Sequence, residues 1–253
     1  LRIQGAGEIK VKLHRPVAGT IKTVSLVREA DKWFVSFSVE CEPEPLPPKP
    51  NAVGVDVGLT TYAVLSDGAE IANPRHFKRA QAKLRRAQCT VARRKKGGAN
   101  RRKALVALQR IHAHVRNRRR DFQHKASRRI VDEYGAIFVE RLNIKGLAAG
   151  TLVKSVNDAA WGGFLHKMAY KAESAGRIFR EIEAAGTSQE CICGATVAKE
   201  LKDRRHECSV CGLAEPRDLV SAKVILGRGL RLCAPSVSPE TLAQEAARLE
   251  PAE

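Results

Sequence analysis

The chain has 253 residues, 43% hydrophobic and 28% charged, which suits one sizeable packed domain with a smaller companion. It contains no run of 18 apolar residues, so a membrane-spanning helix is not expected. Lys and Arg number 45 against 27 Asp and Glu, a net charge of +18, yet Arg75 to Arg129 alone holds 21 of the basic residues and a single acid, Asp121. The rest of the chain is nearly balanced, so one segment carries the whole excess. A field that dense suits a polyanion, because each neutralised phosphate releases condensed counterions. A solvated charged hairpin or a localisation tract is the plainer alternative.

Residues 1–42 read as a β domain. Ile9, Val11 and Leu13 alternate with Lys10 and Lys12, Thr20 to Val27 is a second strand, and Trp33, Val35, Phe37 and Val39 alternate with Phe34, Ser36 and Ser38. Five prolines between Pro43 and Pro50 predict a stiff, extended linker and a domain boundary at 43–50. Ala52 to Val57, ending at Gly58, is too short and too apolar for anything but a buried strand, with Thr60 to Leu65 following across a tight turn. The basic segment, about 74–133, reads as two long antiparallel helices broken at Gly97 and Gly98. In the second, Ala104, Leu108, Ile111, Val115 and Phe122 lie near one face. Ala136 to Val139 is another strand, ending in Glu140. Ser155 to Ala175 is an amphipathic helix, with Trp161 as a core residue. Arg177 to Ile182 is the next strand, a cysteine-rich segment spans about 187–214, and Leu219 to Leu230 closes as a helix. Residues 231–253 form an acidic, alanine-rich tail, read as peripheral. The chain begins with Leu1 and not Met, which reads as a fragment or a processed start.

Three acids stand out by context. Asp56 lies inside the apolar strand Val53-Gly54-Val55-Asp56-Val57, Glu140 ends the strand Ile137-Phe138-Val139-Glu140, and Asp218 opens the last helix. A carboxylate in a buried strand costs several kcal/mol (roughly) unless it is paired or binds a cation. Two or three such groups converging can hold two Mg²⁺ ions about 4 Å apart, the arrangement that hydrolyses phosphodiesters. Plainer roles stay open for each. Asp56 fits a turn or salt-bridge acid, or the phosphate loop of an actin-like ATPase through Asp56-Val57-Gly58-Leu59-Thr60. Glu140 fits a surface pair with Arg141, and Asp218 a helix N-cap.

Of seven cysteines, an odd number, four cluster between Cys191 and Cys211, which argues for a metal in a reducing cytosol over a disulfide framework. Cys208-Ser-Val-Cys211-Gly212 is a zinc knuckle; its partner arm, Cys191-Ile-Cys193-Gly194, is one residue shorter than usual. Four thiolates can still form a closed, structural Zn²⁺ site, with His206 as a substitute ligand should one arm fail and a cluster of free thiols as the plainer alternative. Cys41, Cys89 and Cys233 read as isolated thiols, and His112 and His114 as phosphate-side or solvent residues.

In this order the pieces resemble a known family. Gly54-Val55-Asp56-Val57-Gly58-Leu59-Thr60 is similar to the first RuvC motif of transposon-encoded TnpB proteins, and Val139-Glu140-Arg141-Leu142-Asn143-Ile144-Lys145-Gly146-Leu147 to the second. Asp218, seven residues after Cys211, matches the third. Thr187-Ser188-Gln189 and Asn157-Asp158-Ala159-Ala160-Trp161-Gly162 add to the likeness. The resemblance implies an α/β fold: an RNase H-like (RuvC) nuclease domain over 51–230 with an inserted basic helical hairpin and zinc ribbon, preceded by a partial β-barrel wedge. It implies a DNA endonuclease associated with an insertion sequence, with guide RNA and target DNA as partners, no membrane partner, and a cytoplasmic, nucleoid-associated location. Asp56, Glu140 and Asp218 would hold two catalytic Mg²⁺, and Cys191, Cys193, Cys208 and Cys211 a structural Zn²⁺. Arg85, Arg86, Arg93, Arg94, Lys95, Lys96, Arg101, Arg102, Lys103, Arg116, Arg118, Arg119 and Arg120 would face nucleic acid. The chain departs from the family in three places: it lacks the usual N-terminal recognition segment, its first cysteine arm is short, and Val220 stands where an Asn is usual. A nuclease-inactive or truncated nucleic-acid binder is the alternative reading. The oligomeric state is left open.

Overall fold

The structure is a computed structural model that describes residues 1–5, 7–147, 152–200 and 203–233. The expected tail from Pro235 lies outside them. The chain forms two compact units, Leu1–Glu44 with Arg79–Arg118, and Pro45–Lys78 with the chain from Arg119 onward. None of the helices among the described residues is long and apolar enough to cross a membrane.

The first unit holds the short strands β1 (Arg2–Ile3) and β2 (Gly7–Glu8) and the long antiparallel pair β3 (Thr20–Glu29) and β4 (Lys32–Glu40). The expected strand from Ile9 to Leu13 does not form. Alternating side chains make a strand only where a neighbour offers a ladder, and here only Ile9 is tied back, its N–H donating to the Leu1 carbonyl at 2.8 Å. The basic segment is helical, as α1 (His76–Arg93) and α2 (Ala99–Glu133). Arg101 closes the turn between them by donating to the carbonyl oxygens of Val91 at 2.9 Å and Arg94 at 3.3 Å. Asp31 and Glu29 at the β3–β4 turn pair with Arg110 and Arg116 of α2.

The second unit is built on a five-stranded sheet of β5 (Ala52–Val57), β6 (Thr61–Leu65), β7 (Glu70–Ala72), β8 (Ala136–Glu140) and β9 (Ile178–Ile182), in the order β7-β6-β5-β8-β9. β5 runs antiparallel to β6 and parallel to β8, which is parallel to β9. Both faces of β5 and β8 are covered, which is why their sequences read as almost unbroken apolar runs. On one face Val53, Val55, Ile137 and Val139 pack with Ile130 and Val131 of α2 and with Phe164 and Met168 of α5 (Trp161–Ser174). On the other, Ala52, Ala136, Phe138 and Ile182 pack beneath Ile225, Leu226 and Leu230 of α6 (Arg217–Cys233). Here α6 lies very close to the sheet. A Cβ at Gly54 would sit 2.6 Å from the Leu226 backbone nitrogen, and one at Gly229 would sit 2.7 Å from Cδ2 of Phe138.

Three further elements are α3 (Ile144–Leu147), α4 (Val153–Ala159) and the hairpin of β10 (Arg205–Glu207) and β11 (Ala214–Pro216). The single helix expected from Ser155 to Ala175 is two, parted at Ala160, whose backbone is left-handed at φ 50° and ψ 48°. Partners far along the chain hold that break. The Tyr62 hydroxyl donates to the Ala159 carbonyl at 3.1 Å and the Gln123 amide to the Ala160 carbonyl at 2.9 Å. The proline-rich stretch is fastened to its unit: the Leu46 N–H donates to the Ala175 carbonyl at 3.1 Å, and Arg177 to the Pro47 carbonyl at 2.7 Å.

Candidate functional site

Asp56 and Glu140 occupy equivalent places in neighbouring parallel strands, since each follows one of the register partners Val55 and Val139. Side chains alternate along a strand, so Asp56 shares the α6 face with Ala52 and Gly54, and Glu140 shares it with Ala136 and Phe138. Gly54 abuts Ala222, and Asp218 lies one helical turn earlier on α6. The three acids are thereby brought to one end of the sheet, each half-buried.

The electrostatics of Asp56 register both of the other acids. Burial pushes the Asp56 carboxyl well above the usual carboxylate range, and the charges of Glu140 and Asp218 push it further, with Arg217 opposing. Burial also raises Glu140, against the Thr187 hydroxyl and the Arg228 guanidinium. Three of the plainer roles, the turn at Asp56, the pair with Arg141 and the N-cap, do not fit this arrangement. Asp56 lies within β5, and Arg141 pairs with Glu181 at 3.8 Å. Asp218 is inside the first turn of α6 and does not precede it.

Sequence reasoning gave no role to the side chains around Glu140. Thr187 is 3% exposed and its hydroxyl donates to Glu140 Oε1. Arg228 of α6 donates to Glu190 Oε2 through Nε at 3.0 Å and to the carbonyls of Glu183 and Ala185 at 3.0 and 2.9 Å. A threonine in the run Thr187-Ser188-Gln189, and an arginine within the apolar stretch Val224-Ile225-Leu226-Gly227-Arg228, were the available signals.

The four clustered cysteines meet. Their sulfurs all lie within 4.8 Å of one another, with Cys191 to Cys211 at 3.6 Å and Cys193 to Cys208 at 3.8 Å. This is the one group of three or more metal-ligating side chains that closes so tightly among the described residues. Gly194 and Gly212, at φ 86° and 74°, turn the chain after each arm, so the short first arm reaches the cluster. Backbone N–H groups of Cys211 and Val210 hold the Cys208 thiol down at about 6, whereas burial drives Cys191 up to about 12. His206 stands outside the cluster, wholly buried, with Lys199 at its Nδ1.

Among the basic residues, Arg85, Arg86, Arg93, Arg94, Lys95, Lys96, Arg102, Lys103, Arg118 and Arg120 are exposed. Three others have partners within the protein: Arg101 at the helix turn, Arg116 with Glu29, and Arg119 with Asp158 at 3.2 Å. His112, His114, Cys41 and Cys89 are exposed, Cys233 is buried, and Trp161 packs in the core.

A family described as "Probable transposase" (OrfB of IS605 elements) matches residues 36–150, and one described as "Cas12f1-like, TNB domain" matches residues 161–225. A "Putative RNA-guided DNA endonuclease" of Streptomyces pristinaespiralis is 37% identical over 225 residues, 86% of this chain and 56% of that one. The "Putative RNA-guided DNA endonuclease InsQ" of Escherichia coli (strain K12) is 32% identical over 243 residues, 88% of this chain and 60% of that one. The chain thus spans 56–60% of the length of these two relatives. Among solved structures, Cas12f1 in a complex with sgRNA and target DNA shares the fold, with a TM-score of 0.51 at 16% identity over 81% of this chain and 55% of that one. Two family models thus lie in sequence along the chain, which over most of its own length is similar to proteins named as putative RNA-guided DNA endonucleases.

Proposed function

We propose that this chain is the nuclease portion of an RNA-guided DNA endonuclease, with Asp56, Glu140 and Asp218 as its catalytic carboxylates. The observation that carries the reading is the convergence of Asp56, Glu140 and Asp218 at one end of the sheet, where the charges of the other two act on Asp56. A buried carboxylate whose acidic neighbours raise its affinity for a proton, as at Asp56, is poised to trade that proton for a divalent cation, so the residues fit such an ion. A pair of Mg²⁺ ions, when bound, supplies an activated water and a counter-charge for the leaving oxygen. The protein's own share is positional. β5 and β8 fix two carboxylates side by side, α6 brings the third, and the Arg217 cation favours the charged form of Asp56.

The strand order, three antiparallel strands followed by two parallel ones, supports an RNase H-like domain over 51–230. In this reading 74–133 is an inserted helical hairpin, 187–214 a zinc ribbon and 1–42 part of a wedge. Tetrahedral Zn²⁺ with Zn–S bonds of about 2.3 Å implies sulfur separations of roughly 3.8 Å, close to the 3.6 and 3.8 Å between the paired thiols. The ion would be structural. Guide RNA pairing with one DNA strand would supply sequence choice. The exposed run Arg93, Arg94, Lys95 and Lys96, with Arg85, Arg86, Arg102, Lys103, Arg118 and Arg120, would hold phosphates without reading bases. Such work places the protein at the nucleoid.

The test is Asp56→Ala in the protein loaded with RNA from its own element. Loss of target cleavage with retained binding of RNA and DNA is expected. Undiminished cleavage would remove Asp56 from the chemistry, and a wild-type protein that binds but never cuts would favour an inactive binder.

A further inference from the structure

We propose that Thr187 is a positioning residue for Glu140, a proposal that rests on the carboxylate site put forward above. Thr187 is buried, and its hydroxyl has two acceptors within reach, Glu140 Oε1 and the Ala184 carbonyl at 3.0 Å. A hydroxyl carries one proton, so its donation to Oε1 fixes that oxygen and leaves Oε2 for another partner. Glutamate has three rotatable side-chain bonds, and Glu140 lies at the end of β8. Threonine is branched at Cβ and stiff. A hydrogen bond from a stiff donor to a flexible carboxylate orients the carboxylate, as partners of metal-binding carboxylates generally do.

The donor is itself held. The N–H groups of Gln189 and Glu190 both donate to the Gly186 carbonyl at 2.9 Å, and Gly186 takes a left-handed turn at φ 78°. Arg228 grips the same loop from both sides, through the carbonyls of Glu183 and Ala185 before Thr187 and the Glu190 carboxylate after it. Beyond Glu190 the chain enters the cysteine cluster at Cys191, with Glu190 bridged to Thr196. Arg228 belongs to α6, the helix whose first turn carries Asp218. One loop therefore links the orientation of Glu140 both to the helix bearing another of the acids and to the cysteine cluster.

The experiment compares Thr187→Val and Thr187→Ser in the full chain. Mn²⁺ binding is read without nucleic acid, by the electron paramagnetic resonance signal of the free ion, and cleavage is read separately. Thr187→Val keeps the branch and removes the hydroxyl. It is expected to weaken Mn²⁺ binding and slow cleavage by about 10- to 100-fold, with unchanged affinity for RNA and DNA. Thr187→Ser restores the hydroxyl and should return both quantities to within a few-fold of wild type. Wild-type Mn²⁺ affinity in Thr187→Val overturns the proposal. So does failure of serine to restore it while both variants melt early, because packing would then be the whole role. Glu140→Gln separates the two levels. If it weakens Mn²⁺ binding and Thr187→Val does not, Thr187 alone is dismissed. If Glu140→Gln leaves Mn²⁺ binding intact, the carboxylate site falls and Thr187 with it.

Discussion

Gly54→Ala tests whether the closeness of α6 to β5 places the acids. A Cβ at position 54 would lie 2.6 Å from the Leu226 backbone nitrogen and nearer still to the Ala222 carbonyl oxygen, where ordinary contact begins at 3.4 Å. Both obstacles are helix backbone, so neither can rotate aside. The helix must retreat by about 1 Å, and overpacking of that kind costs roughly 1–3 kcal/mol. Asp218 lies one turn before Ala222 on the same rigid helix and would move with it. A misplacement of about 1 Å costs on the order of 100-fold in rate. Gly227→Ala is the control. It too adds a methyl to α6, but its nearest neighbour is Arg231 Nη1 at 3.8 Å, and alanine is favoured over glycine in a helix by up to ~1 kcal/mol. Urea unfolding midpoints and single-turnover cleavage should therefore part the two variants, with Gly54→Ala lower in both and Gly227→Ala equal or higher in stability. A Gly54→Ala protein with the wild-type midpoint and rate would show that α6 yields without cost and that its contact with β5 does not set the site.

Asp56 supplies a pH test. Its folded carboxyl binds protons more tightly than an unfolded one, through burial and then the charges of Glu140 and Asp218. Its effect on stability is therefore most favourable below about pH 4 and is lost as pH rises through the folded value. Melting of metal-free wild type in chelator should decline toward neutral pH more than melting of Asp56→Asn, and Ca²⁺ should close the gap; parallel curves would contradict this. Asp31 has the opposite sign. Hydrogen bonding to Arg110 holds its carboxyl down at about 2, so its contribution is present above about pH 4 and fades as pH falls toward 2. Arg110→Ala should flatten that acid limb, as acid titration followed by circular dichroism would reveal. For the cysteine cluster, elemental analysis should give about one zinc per chain for four thiolate ligands, and Cys208→Ser should lose the metal and melt earlier. A zinc-free wild type with an unaltered melt would leave the cluster as plain thiols.

What could be read from the sequence was local. Ala52–Val57 and Ala136–Glu140 announce themselves because a strand covered on both faces needs apolar residues almost throughout, which makes an acid inside one conspicuous. The cysteines were legible by spacing, and the two glycines after them explain why the short arm still closes. What escaped was decided by partners distant in the chain. No window of sequence could show that Tyr62 and Gln123 would hold Ala159 and Ala160 and so part a continuous amphipathic pattern into two helices. The alternation from Ile9 to Leu13 promised a strand, but a strand also needs a neighbour, and none pairs there among the described residues. The same limit applies at the site. An acid in an apolar strand signals chemistry because its burial is costly, whereas Thr187 and Arg228 signal nothing by themselves, since a buried hydroxyl or guanidinium with its hydrogen bonds made is unremarkable. Their importance lies in which carboxylate and which loop they hold, so the residues that orient a site are harder to read than those that form it.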